Sequence, residues 1–355
     1  MPNNIVLPSQ DQTRLGDLNA EEFSRSEDID IVPIGDFSNL IYQGLNAGKD
    51  LASLPGKMSS SNEHSLSVIE KEKSMVLSSE SKYGKMNISF DNFAVSFKKR
   101  NSATKKVFVR AMKKLGEKKI SNDLFNDITV EITTDELVSL GMYSTLDSAR
   151  VALKTATNLN DIKISGTVDY IEEGKRKSGN IVKDKLDLTG IQIFKTGIVR
   201  GSGTLVIQFD RNINYEYLLP NISILPNYYY SLTEGGADLL MYLYGLAINK
   251  VKEIAKDGCF YVSLKDIHNY LNLPDYTKAN NPKRDIKEKI TDLIIGDIHN
   301  RDGGKNIHLS IVDVHENDPI AHWVINGRLK VEMFGESLKY FQKMGLMLLE
   351  GKKNK

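Results

Sequence analysis

Between residues 132 and 160 apolar positions recur every three or four residues, and from 162 to 209 they alternate with polar ones. The period therefore switches from helical to strand-like within one domain length. Ile132–Gly141 predicts a short helix: Thr133 and Glu136 stand three apart as a capping box, and Gly141 suits a C-terminal stop. A second helix follows in STLDSARVALKTATNLN. Leu146, Ala149, Leu153 and Ala156 share its inner face, and Ser148, Arg150, Val151, Lys154, Thr155 and Asn158 turn away. The segments IKISGTVDYIEE, LDLTGIQIFKTGIV and GTLVIQFD predict antiparallel strands divided by EGKRKSGN and RGSG turns, with Lys175, Arg176 and Lys177 at the first tip.

A similar order returns in the second half. Leu239, Leu240, Leu243, Leu246, Ala247 and Val251 give the broad apolar face of a buried helix. Ser263 and Asp266 cap a short helix, SLKDIHNYLNL, that Pro274 ends. The loop DYTKANN, with Lys278 and Asn281, leads to Pro282 at the first turn of a third helix. Ile286, Ile290, Leu293 and Ile294 face inward there, which leaves Lys283, Arg284, Lys287 and Lys289 near the helix start. Gly303-Gly304-Lys305 opens a hairpin of IHLSIVDVHE and IAHWVING, and SLKYFQKMGLMLLEGKKNK closes the chain as a helix with a basic end.

Upstream of these patterns, residues 1–86 read as a low-order leader, rich in serine and scattered acids. Within it, Phe37–Leu45 and Ser67–Leu77 show mild helical spacing. Asn87–Phe97 predicts a strand. Lys98–Lys119 then holds ten Lys/Arg against the single acid Glu117, around a seam of Val107, Ala111 and Leu115. Lys105, Lys106 and Arg110 are candidates for phosphate contact on this basic helix, although a plain solvated face explains the same charge. The predicted boundaries are a leader at 1–86, a first domain with its linker at 87–230, a second domain at 231–328 and a tail at 329–355.

Net charge is +1 over 355 residues, and the average hides a split. Residues 1–97 hold 8 Lys/Arg and 14 Asp/Glu, so the basic excess lies downstream, where clustering matters more than the sum for phosphate contact. No stretch reaches the ~20 apolar residues of a membrane span. The N-terminal residues lack a secretory pattern. Cys259 is the only cysteine, which removes CxxC zinc sites and fits a reducing cytoplasm. The Tyr228-Tyr229-Tyr230 run could serve a nicking reaction, but none of the six histidines has another two residues away to hold the metal such a reaction needs. No GxxxxGK[ST] loop is present. The expectation is a protein that is not an enzyme and needs no cofactor.

Two short capped helices followed by strands form the sequence shape of a winged helix-turn-helix. The predicted class is α+β: two tandem winged helix-turn-helix domains after a largely disordered N-terminal segment. The chain resembles the iteron-binding plasmid replication initiators over about residues 90–326. The resemblance is carried by GTLVIQFD, NYEYLLP before YYYSL, ADLLMYLYGL, and VSLKDIHNYLNL with IKEKITDLI. It implies a protein that binds repeated sites on double-stranded DNA, represses its own promoter as a homodimer, and recruits host replication proteins. It also implies that the second module reads the site through Lys283, Arg284 and Lys287, with Lys278, Asn281 and Lys305 nearby. Ser148, Arg150, Lys154, Thr155 and the Lys175–Lys177 tip would support it from the first module. A transcriptional or partition regulator on a palindrome, or a winged-helix scaffold for protein contacts, would use the same elements.

Overall fold

The computed structural model describes residues 29–33, 58–59, 63–69, 74–81, 84–90, 101–120, 129–177, 180–192, 194–209, 222–271, 273 and 283–353. They fall into two compact units, one built mainly from Val32–Ser139 and Tyr143–Ile222, the other mainly from Ser223–Lys355. Helices and strands are mixed in both, and among the described residues no helix is long and apolar enough to cross a membrane.

The first unit contains strands β2 (Met58–Ser59), β3 (Glu63–Ile69), β4 (Ser74–Ser81) and β5 (Gly84–Phe90), then helix α1 (Asn101–Ile120) and strand β6 (Thr129–Ile132). The helix pair α2 (Thr134–Ser139) and α3 (Leu146–Ala156) follows. After it come β7 (Ile162–Lys177), β8 (Asn180–Gln192), β9 (Phe194–Ile198) and β10 (Leu205–Phe209). A short strand β1 (Ile29–Pro33) pairs with β11 (Ile222–Pro226).

Two sheets form in this unit. In the smaller, β10 lies between β6 and β9, with Leu205 opposite Ile132 and Phe209 opposite Phe194. Strand alternation places Val130, Ile132, Leu205, Ile207 and Phe209 inward, while Glu131 and Gln208 are exposed. Phe194 links this sheet to α1, edge-on to Phe108 at 5.9 Å and to Phe209 at 5.4 Å. The larger sheet runs β2-β3-β4-β5-β7-β8.

That larger sheet corrects two expectations. The helical spacing of Ser67–Leu77 yields strands β3 and β4 instead, paired through Leu66 and Leu77. The hairpin β7–β8 joins β5 rather than the strands beside the helix pair, so it is an insertion between α3 and β9. Most of the expected leader before residue 58, including Phe37–Leu45, lies outside the described residues.

The second unit has α4 (Glu234–Asn249), α5 (Val251–Asp257), β12 (Cys259–Ser263) and α6 (Leu264–Tyr270). Helix α7 (Lys283–Thr291) continues without a break through Asp292–His299, wound with the wider π pitch, to Asn300–Asp302. Then come β13 (Ile307–Val312), α8 (Ile320–Asn326), β14 (Arg328–Met333) and α9 (Gly335–Lys353). β14 lies between β12 and β13. Ser263 caps α6 by accepting the N–H of Lys265 (3.1 Å) and of Asp266 (3.4 Å), as its spacing predicted.

IAHWVING, expected as the returning strand of a hairpin, is helix α8. Ile320, Trp323 and Val324 stand at helical spacing and are all buried, so this face docks on α6 and α7. Gly327 then turns the chain into β14; a Cβ there would stand 2.5 Å from both the Leu264 Cδ1 atom and the Trp323 carbonyl oxygen. The core of this unit centres on Tyr244, whose hydroxyl shares a 2.8 Å hydrogen bond with Ser337 across α4 and α9. Burial raises the Tyr244 phenol far above its ordinary value, so it stays protonated.

Candidate nucleic-acid interface

Helix α3 is set by local chemistry at both ends. Thr145 caps it, accepting the Ser148 N–H at 3.2 Å. Ala149, Ala152, Leu153 and Ala156 are buried, and these mostly small side chains let the helix sit close to α1. Leu146, expected inward, is 47% exposed because it lies at the first turn, before the helix reaches α1. Beyond the helix, Asn160 acts as a side-chain rung to β9: its Oδ1 accepts the Thr196 N–H at 2.7 Å, and Thr196 Oγ1 donates to the Thr157 carbonyl at 3.0 Å. The strand that follows is thereby fixed to the helix before it.

Strand β9 leads into a tight turn at residues 199–204. The Val199 N–H donates to the Thr204 carbonyl at 2.9 Å, and the Gly203 N–H to the Val199 carbonyl at 2.8 Å. Ser202 and Thr204 share a hydroxyl bond of 2.7 Å. Gly203 adopts φ +69°, which only glycine takes without strain. Val199, Arg200 and Gly201 stand exposed on this rigid crest. The turn lies against α3, since a Cβ on Gly203 would stand 3.5 Å from Arg150 Nε.

Arg150 itself is held by Asp147, at 2.9 Å on the next turn back, with both side chains largely exposed. Lys154 is exposed one turn on, and Lys195 is exposed on β9. Ser148 hydrogen-bonds Thr145 at 2.9 Å, and the Thr155 hydroxyl turns back to the Val151 carbonyl at 2.9 Å. The outward face of α3 therefore offers Ser148, Arg150, Val151 and Lys154, flanked by Arg200. Sequence reasoning missed Arg200, although RGSG between two alternating apolar runs is an ordinary hairpin signal.

The basic helix α1 does not join this surface. Lys105 is 2% exposed and Lys106 9%, so neither reaches a phosphate. Arg110 pairs with Glu136, which Lys114 also meets at 2.7 Å. The helix is buried nearly all round, at Thr104, Val107, Phe108, Val109, Ala111, Met112 and Leu115. The Lys175–Lys177 tip is also displaced. Lys177 pairs with Asn180 at the far end of β7, about 50 Å of strand from Ile162. The side chains of Lys175, Arg176 and Lys177 lie outside the described residues.

In the second unit Lys287 is already engaged. Its ammonium donates to the carbonyls of Glu316 and Asp318, each at 2.5 Å, and stands 5.7 Å from the Trp323 ring. Two of its three donors thus tie the loop before α8 onto α7. Lys283 and Arg284 lie on the first turn of α7, with side chains outside the described residues, as are Lys278 and Asn281 altogether. Lys305 is exposed in the turn after Asp302, about 30 Å along the helix from Lys283, so the structure does not bring these two together.

The far end of that helix carries a histidine pair. The rings of His299 and His308 stack at 4.9 Å, and His299 Nε2 accepts the Leu309 N–H at 2.9 Å. An accepting nitrogen is unprotonated, and burial, followed by the neighbouring His308, holds His299 below its ordinary value. The folded value is depressed, so this contribution is whole above about pH 6.5 and is lost as pH falls through the lower folded value. The denaturant midpoint of the second unit, read by Trp323 fluorescence, is expected to fall as pH is lowered from about 7 to about 5. His299→Gln, which keeps an acceptor, should flatten that dependence; an unchanged slope would refute it.

No protein-family model and no curated protein sequence matches the chain. A solved structure of domains 2 and 3 of RctB aligns with 82% of this chain and 98% of its own, at 12% identity and a TM-score of 0.38.

Proposed function

We propose that the protein binds double-stranded DNA in a sequence-specific manner and acts as a replication initiator, and that each unit is a winged-helix module. The observation that supports this most is the surface of the first unit. An 11-residue helix, about 16 Å long, exposes Ser148, Arg150, Val151 and Lys154 and stands beside a rigid turn that presents Arg200. The B-DNA major groove, about 12 Å wide, admits such a helix, and on this reading the adjacent turn meets the phosphate backbone. Helix–strand–helix–helix–strand–strand, with the last strand in the middle of the sheet, recurs in the second unit from α5 to β14, where α8 is added between the last two strands. The initiator role rests on the sequence resemblance and on the presence of two such units. It assigns no catalytic step to the chain: DNA would open through binding and through recruited host proteins.

Affinity for a duplex should fall steeply with salt. About six neutralised phosphates give a log–log slope of roughly −5. Arg150→Ala and Arg200→Ala should each reduce that slope by about 1. Fluorescence anisotropy of a labelled duplex between about 50 and about 200 mM salt measures it. Absence of binding at the low-salt end would overturn the proposal. A footprint on short direct repeats supports an initiator, and one on a single palindrome supports a regulator.

A further inference from the structure

Val151 stands out on the outward face of α3. It is 51% exposed, and Leu146, one turn earlier plus one residue, is 47% exposed. A β-branched residue at an exposed helical position is a poor helix former, less favourable than alanine by roughly 0.6 kcal/mol. Neither helix stability nor solubility calls for it. Its neighbours on that face are polar or charged, and the one acid among them, Asp147, is paired with Arg150. Ser148 lies three residues before it and Lys154 three after, and Arg150 is anchored by Asp147 and by the Gly203 turn. A protein-binding helix would extend the apolar patch. Here a small apolar spot stands among a hydroxyl, two cationic groups and the Asp147 carboxylate that Arg150 pairs with. That combination complements a groove floor edged by phosphates, where thymine alone offers a methyl group.

We propose that Val151 reads a thymine 5-methyl group in the major groove, so that the recognised site carries thymine where the middle of α3 crosses it. This rests on the DNA-binding reading of the first unit. Arg150 and Lys154 would then address the base edge and phosphates on either side, and Val151 would set preference rather than strength.

The test uses the full chain and a random-core duplex pool. Duplexes enriched by binding are resynthesised with each thymine in turn replaced by deoxyuridine, which removes only the methyl. At one or two positions this should weaken wild-type binding about 4-fold, the value of one buried methyl group. Val151→Ala should lose that sensitivity and bind the thymine and uracil duplexes alike. The variant improves helix propensity at an exposed site, so unfolding does not mask the result. If no position responds to uracil, or if Val151→Ala stays equally sensitive, the inference fails while DNA binding stands. If no duplex is enriched at low salt, the DNA reading and the inference fall together. Self-association in sedimentation that Val151→Ala abolishes, without any thymine effect, assigns the spot to a second copy of the chain and also overturns the inference.

Discussion

Asp297→Ala is expected to lower the unfolding free energy of the second unit by about 2–3 kcal/mol. The Asp297 carboxylate is buried in the π-wound part of the long helix and accepts two hydrogen bonds from Thr233, from its N–H at 3.0 Å and from its hydroxyl at 2.5 Å. Thr233 is the N-cap of α4, so this negative charge also sits at the positive end of that helix. Alanine would leave the Thr233 N–H without its partner and remove the charge. The two helices touch so closely here that a Cβ on Gly236 would stand 1.9 Å from Asp297 Oδ2. Gly236→Ala alone should therefore also destabilise, by about 1–3 kcal/mol, despite its better helix propensity. In Asp297→Ala the space opens, so the double variant should cost clearly less than the sum of the singles. Trp323 is the only tryptophan and is buried in this unit, so urea unfolding followed by its fluorescence reads the effect directly. Additive losses would show that the two side chains do not share one contact.

Glu136→Gln is expected to have the next largest effect, in the first unit. Glu136 receives Arg110 and Lys114, while Lys114 also donates to the Glu131 carbonyl at 2.5 Å. Burial by itself pushes the Glu136 carboxyl up. The hydrogen bonds and charges of Lys114 and Arg110 together outweigh burial, and the folded value lies below the ordinary one. A depressed carboxylate contributes stability that is whole above about pH 4.5 and is lost as pH falls through the folded value. The amide variant lacks the charge at any pH. It should cost about 2 kcal/mol, which raises hydrogen exchange in Thr134–Ser139 roughly 30-fold near neutral pH. Below the folded value of Glu136 the two proteins should converge. A gap that stays constant into acid would refute the ion-pair account.

The elements most legible in the sequence were those with local punctuation. Thr133 and Ser263 mark helix starts because a cap is a contact between residues two or three apart. The exposed face of α3 followed from the spacing of Ala149, Leu153 and Ala156. What failed depended on partners distant in sequence. Lys105 and Lys106 looked like a solvated face, but the elements around α1 bury it on nearly every side. The contacts of Lys287 with a loop some thirty residues later could not be read from its spacing on the helix. Ser67–Leu77 combines apolar residues that suit either period, and pairing between β3, β4 and β5 decides the outcome. In IAHWVING the β-branched content suggested a strand. Pro319, with Ile320, Trp323 and Val324 at helical spacing, was the signal that a helix begins there.

The insertion of β7 and β8 between α3 and β9 has a consequence for how the chain becomes a protein. The central strand of the small sheet, β10, is the last of its three to be synthesised, and Leu205 must find Ile132 across about 70 intervening residues. Until Phe209 has left the ribosome, β6 and β9 have no common neighbour, and α1 to α3 have no sheet to close against. Such non-local pairing is slow to form. A chain cut anywhere before residue 205 should therefore present its apolar helix faces to proteases and chaperones, however complete its helix pair is.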